Sequence, residues 1–505
     1  MLISIDNILN RITMYRLVLY FLIVLLVVAA TLGFFGILPY NPANLAFSTL
    51  LILAACWLVN TMFAKGFGAV TNIESVYITG LILALIITPV ASNDYAGVGF
   101  LIYASAWAMA SKYIFAIGKK HIFNPAAFGV AISALTINQA ATWWVAGNYV
   151  LLPFLFLGGL LIVRKIRGFD LVFSFTIATF FSVLITSSSG NLATPLIQTL
   201  LHSSFFFLAF VMLTEPLTMP PDLLRRIPYG IIVGLFFAPN VHIGSVYSTP
   251  ELALLIGNVY SYIVSPKGRF MLTLVKKNII ANGIYDFVFA SDRPIKFRPG
   301  QYLEWTLPHR YPDNRGNRRF FTIASSPTEQ TVNLGVKFYE PMSTFKRALM
   351  AMKPEEILSA SHLSGEFTLP SNKKRKLVFI AGGIGVTPFR SIVQYMLDTN
   401  DVRPAVLLYS NKTIAEIAYK DLFDRAQIKL GMRVVYTVSK DEAQIPGIYR
   451  GMIDGALIAR EIPDYKDRIF YISGPHGMVE AFQKTLFEMG VSRWKIKVDY
   501  FPGFA

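Results

Sequence analysis

The chain has 505 residues, 54% of them apolar, and a formal charge of +16. It is too long for one ordinary domain and too apolar for a disordered chain. Its single cysteine, Cys56, excludes an intrachain disulfide and a four-thiolate iron–sulfur cluster. No nucleic-acid motif accompanies the basic charge, and attraction to anionic lipid is the simpler account of it.

The apolar residues concentrate before residue 265, in ten segments at roughly 16–35, 45–63, 76–90, 98–116, 124–136, 149–164, 171–186, 203–214, 227–239 and 250–264. Each reads as a membrane helix, although several fall short of the roughly 20 residues of a full span and are broken by Pro or Gly. Short, broken segments in matching positions of two halves predict a 5+5 inverted repeat with a site near the midplane. The first segment lacks a small-residue cleavage site and reads as an anchor rather than a signal peptide. Cys56, inside the second segment, reads as helix packing.

Charge orients the bundle. Arg11, Arg16, Lys65, Lys112, Lys119, Lys120, Arg164, Lys165, Arg167, Arg225 and Arg226 all fall at alternate connections, and the other connections hold no Lys or Arg. The positive-inside rule then places both termini in the cytoplasm, in a multi-pass protein of the cell (inner) membrane.

Ser265-Pro266-Lys267-Gly268-Arg269 is a short linker into a second composition. Residues 268–370 alternate polar and apolar between Pro and Gly turns and predict a small β-barrel. Residues 374–505 repeat strand, turn and helix, and predict a parallel α/β sheet. The expected domains are therefore 1–265, 268–370 and 374–505. In the last of them a strand-like run, Lys376 to Ile380, leads into Ala381-Gly382-Gly383-Ile384-Gly385-Val386-Thr387-Pro388. Gly382, Gly383 and Gly385 let backbone N–H groups approach a pyrophosphate at a helix N-terminus, and Thr387 can cap the phosphate.

Further motifs accompany this turn. Arg319-Phe320-Phe321-Thr322 lies upstream, Ser343-Thr344-Phe345 follows it, and Tyr409-Ser410-Asn411 and Ser473-Gly474-Pro475-His476-Gly477-Met478 end later strands. With these motifs residues 268–505 resemble the ferredoxin–NADP reductase superfamily. The resemblance implies FAD with its pyrophosphate on Arg319, its ring on Phe321 and N5 near Thr322. Phe321 replaces the usual Tyr of that motif. Ser343 and Thr344 would form the second phosphate-contact turn, without its usual Gly. Ser410, Asn411, Gly474, Pro475 and Met478 would meet the nicotinamide nucleotide. Phe504, in the terminal Phe501-Pro502-Gly503-Phe504, would cover the flavin. Catalytic roles accordingly fall to Phe321, Thr322 and Phe504. Lys412 stands alone where NADPH binding normally needs several cations, which favours NADH.

Residues 70–265 resemble the B subunit of the sodium-pumping NADH:quinone reductase and the D subunit of its Rnf relative. The likeness rests on Asn72-Ile73-Glu74-Ser75 with Thr79-Gly80-Leu81, on Phe123-Asn124-Pro125-Ala126-Ala127, and on Thr214-Glu215-Pro216-Leu217-Thr218. It implies a ten-helix fold that holds a flavin, FMN or riboflavin, with Asn124, Thr214, Glu215 and Thr218 lining or bracing the pocket. The family joins FMN to a Thr in a long external loop. Here that loop is short, and Thr142 is the corresponding candidate. Read from position alone, Glu74 and Glu215 equally fit caps on cytoplasmic helix ends.

The expected function is a membrane flavoprotein that moves electrons from cytoplasmic NADH or NADPH through FAD to a membrane flavin, then to an extracytosolic flavoprotein. A quinone in the bilayer is the alternative acceptor. A haem reductase would need paired axial His, and the membrane half offers only His121, His202 and His242. A solute carrier would have no use for a hydride-accepting domain. No metal site is expected.

Overall fold

The computed structural model describes residues 9, 12–69, 73–117, 120–166, 168–187, 193–238, 240–244, 246–265, 269–313, 316–441 and 446–501. The chain divides into two compact units, Met1–Gly268 and Arg269–Ala505.

Every apolar segment of the first unit folds as helix. These are α1 (Met14–Phe34), α2 (Pro42–Gly66), α3 (Ile73–Ile86), α4 (Tyr95–Ile114), α5 (Pro125–Ile137), α6 (Leu152–Ile166), α7 (Phe169–Thr186), the pair α8 (Ala193–Leu201) and α9 (Phe205–Met212), α10 (Leu223–Phe237) and α11 (Pro250–Val264). Several starts are written into the sequence. Asn41, Asn124 and Thr249 each cap a first turn through the side chain, with Pro at the first helical position. Helix count and span count nevertheless differ. Among the described residues only α1, α2 and α7 are long and apolar enough to cross a membrane alone, and α8 with α9 passes as a pair bent by 59°. The sequence reading expected ten spans. Polar and proline-bearing helix starts shorten the continuous apolar runs, leaving 14 residues in α3 and 13 in α5.

Packing within this unit follows one order twice. Helix α2 lies on α4 as α7 lies on α10, and α4 lies on α5 as α10 lies on α11. A two-stranded hairpin interrupts the same place in each series: β1 (Ala116–Ile117) with β2 (Lys120–His121) between α4 and α5, and β3 (His242–Ile243) with β4 (Val246–Tyr247) between α10 and α11.

The second unit opens with an antiparallel sheet in the order β8-β7-β10-β5-β6-β9. Its strands are β5 (Phe270–Ala281), β6 (Ile284–Ser291), β7 (Tyr302–Thr306), β8 (Arg318–Thr322), β9 (Val332–Lys337) and β10 (Ile357–Ser364), with helix α12 (Thr344–Ala351) between β9 and β10. Phe287, Phe289, Leu303, Trp305, Leu334 and Phe345 fill its core. A parallel sheet follows in the order β14-β13-β12-β11-β15-β16. It comprises β11 (Leu377–Gly382), β12 (Ala405–Asn411), β13 (Arg433–Val438), β14 (Ile448–Arg450), β15 (Ile469–Pro475) and β16 (Ile496–Phe501). Along β11, Leu377, Phe379 and Ala381 enter one core and Val378 and Ile380 enter another, so the sheet is covered on both faces. Helices α13 (Thr387–Asp398), α14 (Lys420–Leu430), α15 (Gly455–Glu461) and α16 (His476–Glu488) supply the cover.

A buried polar seam joins the two sheets. Arg390 on α13 forms a two-pronged ion pair with Glu329 of the barrel and donates to the Ala324 carbonyl at 3.2 Å. Beside it Asp286 accepts from Asn333 at 2.7 Å and from Tyr419 at 3.0 Å. Burial pushes the Asp286 carboxyl above its ordinary range, although the Arg390 charge, Asn333 and Tyr419 oppose the shift. Glu329→Gln leaves the Arg390 guanidinium without its counter-charge and is expected to destabilise this unit by about 3 kcal/mol. Urea unfolding of the full chain in detergent reads the change, and an unmoved midpoint would show that the pair adds nothing.

Candidate functional site

In a doubly covered parallel sheet, ligands bind beyond the carboxyl ends of the strands where the strand order reverses. Here that point lies between β11 and β15, whose outer neighbours are β12 and β16. The glycine-rich turn leaves β11 at this place. Gly383 has φ +53°, a left-handed conformation that a β-branched side chain resists. A Cβ on Gly385 would fall 2.5 Å from the Gly474 Cα, so only glycine lets the turn close against β15. Met478 fills the space that a side chain on Gly382 or Gly474 would need. Ser410 and Asn411 end β12, and Pro475, exposed, ends β15. The Ser473 hydroxyl on β15 is buried without a hydrogen-bond partner among the described residues. A buried orphan hydroxyl at the switch point fits a polar ligand such as a nicotinamide nucleotide. Thr387 differs from expectation. It is buried, and its hydroxyl donates to the Ile384 carbonyl at 3.3 Å, so it braces the turn.

The flavin motif lies on β8. Arg319 and Phe321 share one face of that strand, and the Arg319 guanidinium stacks 5.2 Å over the Phe345 ring. The guanidinium meets Asp313 at 3.2 Å, and the same carboxylate accepts from the Thr344 amide at 3.1 Å at the start of α12. One guanidinium and one helix N-terminus therefore converge on one anion, the pairing that a pyrophosphate requires. Ser343 caps α12 through its hydroxyl, and the Thr344 hydroxyl accepts from the Asp313 amide. Both hydroxyls shape the turn, and the turn's amide does the anion binding. Phe321 is half-buried, 5.9 Å from Phe345. Phe320 points to the other face, 52% exposed and edge-on to Tyr302. Thr322 is buried and donates to Asp499 on β16 at 3.3 Å, which ties the flavin strand to the nucleotide sheet. Phe504 lies outside the described residues.

The first unit holds a separate candidate site. A small, mostly apolar cleft opens among α1, α3, α5 and the 211–216 segment, and its polar residues are Tyr15, Ser75, Thr79, Asn124 and Glu215. Asn124 Nδ2 donates to Glu215 Oε2 at 2.9 Å, and Thr218 Oγ1 donates to the same oxygen at 3.0 Å. Thr214 instead turns back to the Phe210 carbonyl at 2.8 Å. Asn124 and Glu215 thus line the cleft, while Thr218 and Thr214 stand behind it. Glu74 lies in the first turn of α3 and pairs with Arg16 at 2.7 Å. Thr142 is elsewhere. Its hydroxyl meets Thr88 at 2.7 Å and its amide donates to Ile86, at the opposite end of α3 from Ser75.

Sequence reasoning missed Asp313, Asp499 and the Arg390–Glu329 pair, because each acts through a neighbour distant in the chain. It weighed His121 only as a haem ligand, and did not foresee that its ring lies 3.6 Å from Glu215.

Two substitutions separate the cofactor sites. Arg319→Ala is expected to abolish FAD retention, because water cannot replace a guanidinium facing a pyrophosphate inside a pocket. Gly385→Ala is expected to keep FAD and weaken nicotinamide nucleotide binding at least tenfold, because the turn can no longer close on β15. Flavin content and anaerobic NADH titration check both, and full FAD occupancy in Arg319→Ala would overturn the assignment.

Comparison with known proteins agrees with this geometry. Residues 379–484 match the oxidoreductase NAD-binding domain family. The chain is 27% identical over 223 residues to oxidoreductase NAD-binding domain-containing protein 1 of Pongo abelii, covering 39% of this chain and 68% of that protein. It is 26% identical over 201 residues to an NADPH oxidoreductase of Mycobacterium tuberculosis, covering 39% of this chain and 50% of that protein. The chain therefore spans half the length of the second relative. The flavohem-like FAD/NAD-binding domain of a nitric oxide dioxygenase from Vibrio cholerae aligns at TM-score 0.41 and 18% identity, covering 46% of this chain and 98% of that one. The chain is also 25% identical over 211 residues to a flavohemoprotein of Oceanobacillus iheyensis, covering 41% of this chain and 51% of that protein.

Proposed function

We propose that the chain is a membrane oxidoreductase carrying electrons from NADH or NADPH, through FAD in its C-terminal half, to a flavin in its N-terminal helical unit, and on to an extracytosolic acceptor. The observation that carries this reading is the fusion of a nucleotide-and-flavin site to a bundle of apolar helices whose broken ends hold the hydrogen-bonded Asn124, Glu215 and Thr218. A mere anchor would need one helix, and polar groups at broken helix ends are costly in a bilayer unless a cavity or cofactor uses them. The repeated packing order, with a hairpin at the same place in each series, supports a 5+5 inverted repeat. By the positive-inside rule the nucleotide site faces the cytoplasm.

The residues divide the work as follows. The Gly382–Gly385 turn and the ends of β12 and β15 seat the nucleotide. Arg319 and the Thr344 amide hold the flavin pyrophosphate, with Asp313 giving up that place. Phe321 offers an apolar face to the ring, and Thr322, oriented by Asp499, offers a hydroxyl at the ring edge. FAD supplies the conversion of a hydride into single electrons. The Arg390–Glu329 seam ties the two sheets together and would hold the two cofactor sites in a fixed relation. The hydrocarbon core is about 30 Å thick, too wide for electrons to cross without an intermediate carrier. The helical unit is the place for that carrier, with Asn124 and Glu215 among the polar residues that would line or brace its pocket and Thr142 the candidate attachment point.

Vesicles that display the nucleotide site outward and enclose a membrane-impermeant oxidant test the reading. External NADH is expected to reduce the enclosed oxidant, and deletion of residues 266–505 to abolish this. Reduction of added quinone alone, with the enclosed oxidant untouched, would favour the quinone reductase alternative. The full chain is expected to hold two flavins. A strong Soret band would instead indicate haem.

A further inference from the structure

We propose that the loop from Lys412 to Tyr419 is a strap that fixes the nucleotide side of the C-terminal half against its flavin barrel, and that Glu416 and Tyr419 are positioning residues for hydride transfer. This rests on the C-terminal half passing hydride from a nicotinamide nucleotide to FAD. In that step the nicotinamide C4–H bond breaks, a bond from that hydrogen to flavin N5 forms, and both electrons pass to FAD.

The loop leaves β12 directly after Ser410 and Asn411, and its own sheet holds it first. The Lys440 amide donates to the Lys412 carbonyl at 2.8 Å, and Asp441 accepts from the Ile414 amide. The Ala418 amide donates at 3.2 Å to the hydroxyl of Tyr409, which is fully buried on β12. The loop and the end of β12 therefore move as one piece.

The other side of the loop is fastened to the flavin barrel. The Asn282 amide, in the turn between β5 and β6, donates to the Ala415 carbonyl at 2.8 Å. Lys337, the last residue of β9, pairs with Glu416 at 2.9 Å. The Tyr419 hydroxyl donates to Asp286 on β6 at 3.0 Å. Apolar contact accompanies these bonds. Ile284 of β6 is buried in a core of the parallel sheet, against which Ile414 and Tyr419 also pack.

Tyr419 carries the clearest mark of constraint. Its φ is +57°, a left-handed conformation that is costly for an aromatic residue and persists only where the surroundings enforce it. The residue precedes α14 without capping it through its side chain. Asp286 supplies the enforcement, and is itself buried and fixed by Asn333 at 2.7 Å. The Arg390 guanidinium lies 5.8 Å over the Tyr419 ring, so the strap and the Arg390–Glu329 pair meet at one residue. A displacement of about 1 Å between reacting groups costs on the order of 100-fold in rate, and three ties from one loop to the barrel guard against it.

The test is anaerobic stopped-flow reduction of the full chain in detergent, by NADH and by NADH carrying deuterium at C4, with FAD content and NADH affinity measured beside it. Tyr419→Phe keeps the ring and removes the donor, and Glu416→Gln keeps the shape and removes the charge. Each is expected to retain FAD and bind NADH within about twofold of the unaltered chain, while the isotope-sensitive step slows about tenfold, and about 100-fold in the double variant. The long-wavelength charge-transfer absorbance of stacked nicotinamide and flavin is expected to fall with it. Exchanging the charges, Lys337→Glu with Glu416→Lys, is expected to restore the rate that either change alone loses. An unchanged isotope-sensitive step in the double variant overturns the proposal. So does a loss of FAD or of NADH affinity that accounts for the whole change in rate, which would make these residues structural or binding groups. An unaltered chain that holds FAD but is reduced by neither NADH nor NADPH removes the reading of the C-terminal half itself, and is told apart because that chain is measured first.

Discussion

The ion pair between Arg390 and Glu329 is the contact on which the C-terminal half depends. Arg390 lies in the first turn of the helix that leaves the glycine-rich turn, and Glu329 belongs to the barrel that presents the flavin motif. Two domains carrying two cofactors must hold reacting atoms within a few tenths of an ångström. The pair does this by joining the element that seats one cofactor to the sheet that seats the other. Gly335 on β9 contributes the matching absence: a side chain there would meet Thr387 and the Tyr419 hydroxyl. Attraction on one side and an empty Cβ position on the other fix the same seam.

The helical unit solves a different problem. Away from water, every backbone and side-chain polar group must find a partner inside the protein. The segment after α9 stops being regular helix near Leu213, and the Thr-Glu-Pro-Leu-Thr stretch that follows must satisfy its own polar groups. Thr214 does so locally, and Glu215 does so by recruiting Asn124 from the start of α5. The result is one polar knot where α5 begins and α9 ends. Its rigidity comes from hydrogen bonds, because a carboxylate held by two donors has little freedom left.

Much of this architecture was legible in the amino-acid order. The ten apolar segments fell on helices because a 3.6-residue helix is the simplest way for a long apolar run to satisfy its backbone. Gly382, Gly383 and Gly385 were readable because a tight turn between strand and helix admits few other residues. The proline-led starts at Pro42, Pro125 and Pro250 follow the same local rule. Long-range partnerships were not legible. Asp313 reaches Arg319 and Thr344, Asp499 reaches Thr322, and His121 reaches Glu215 only once strands and helices have packed. The roles of Ser343, Thr344 and Thr387 were misjudged for a related reason. A hydroxyl near a phosphate-binding turn looks like a ligand contact, yet the Ser343 and Thr387 hydroxyls bond backbone groups of their own turns, and the Thr344 hydroxyl meets the Asp313 amide and the His309 ring. Helix lengths were less legible, because apolar composition does not reveal where a polar cap truncates a helix, and among the described residues only three helices and one bent pair reach the length and composition of a membrane span.

Helix α3 has one further consequence. Ser75, near its first turn, borders the cleft, and Ile86, its last residue, receives the amides of Thr142 and Trp143. Eleven residues at about 1.5 Å each set these places roughly 16 Å apart along one rigid rod. The length of this short helix therefore acts as a fixed spacer between its two ends. Adding one turn would lengthen the rod by about 5.4 Å without touching either place. A segment too short to be an ordinary membrane span is, in that sense, the right length for a different task.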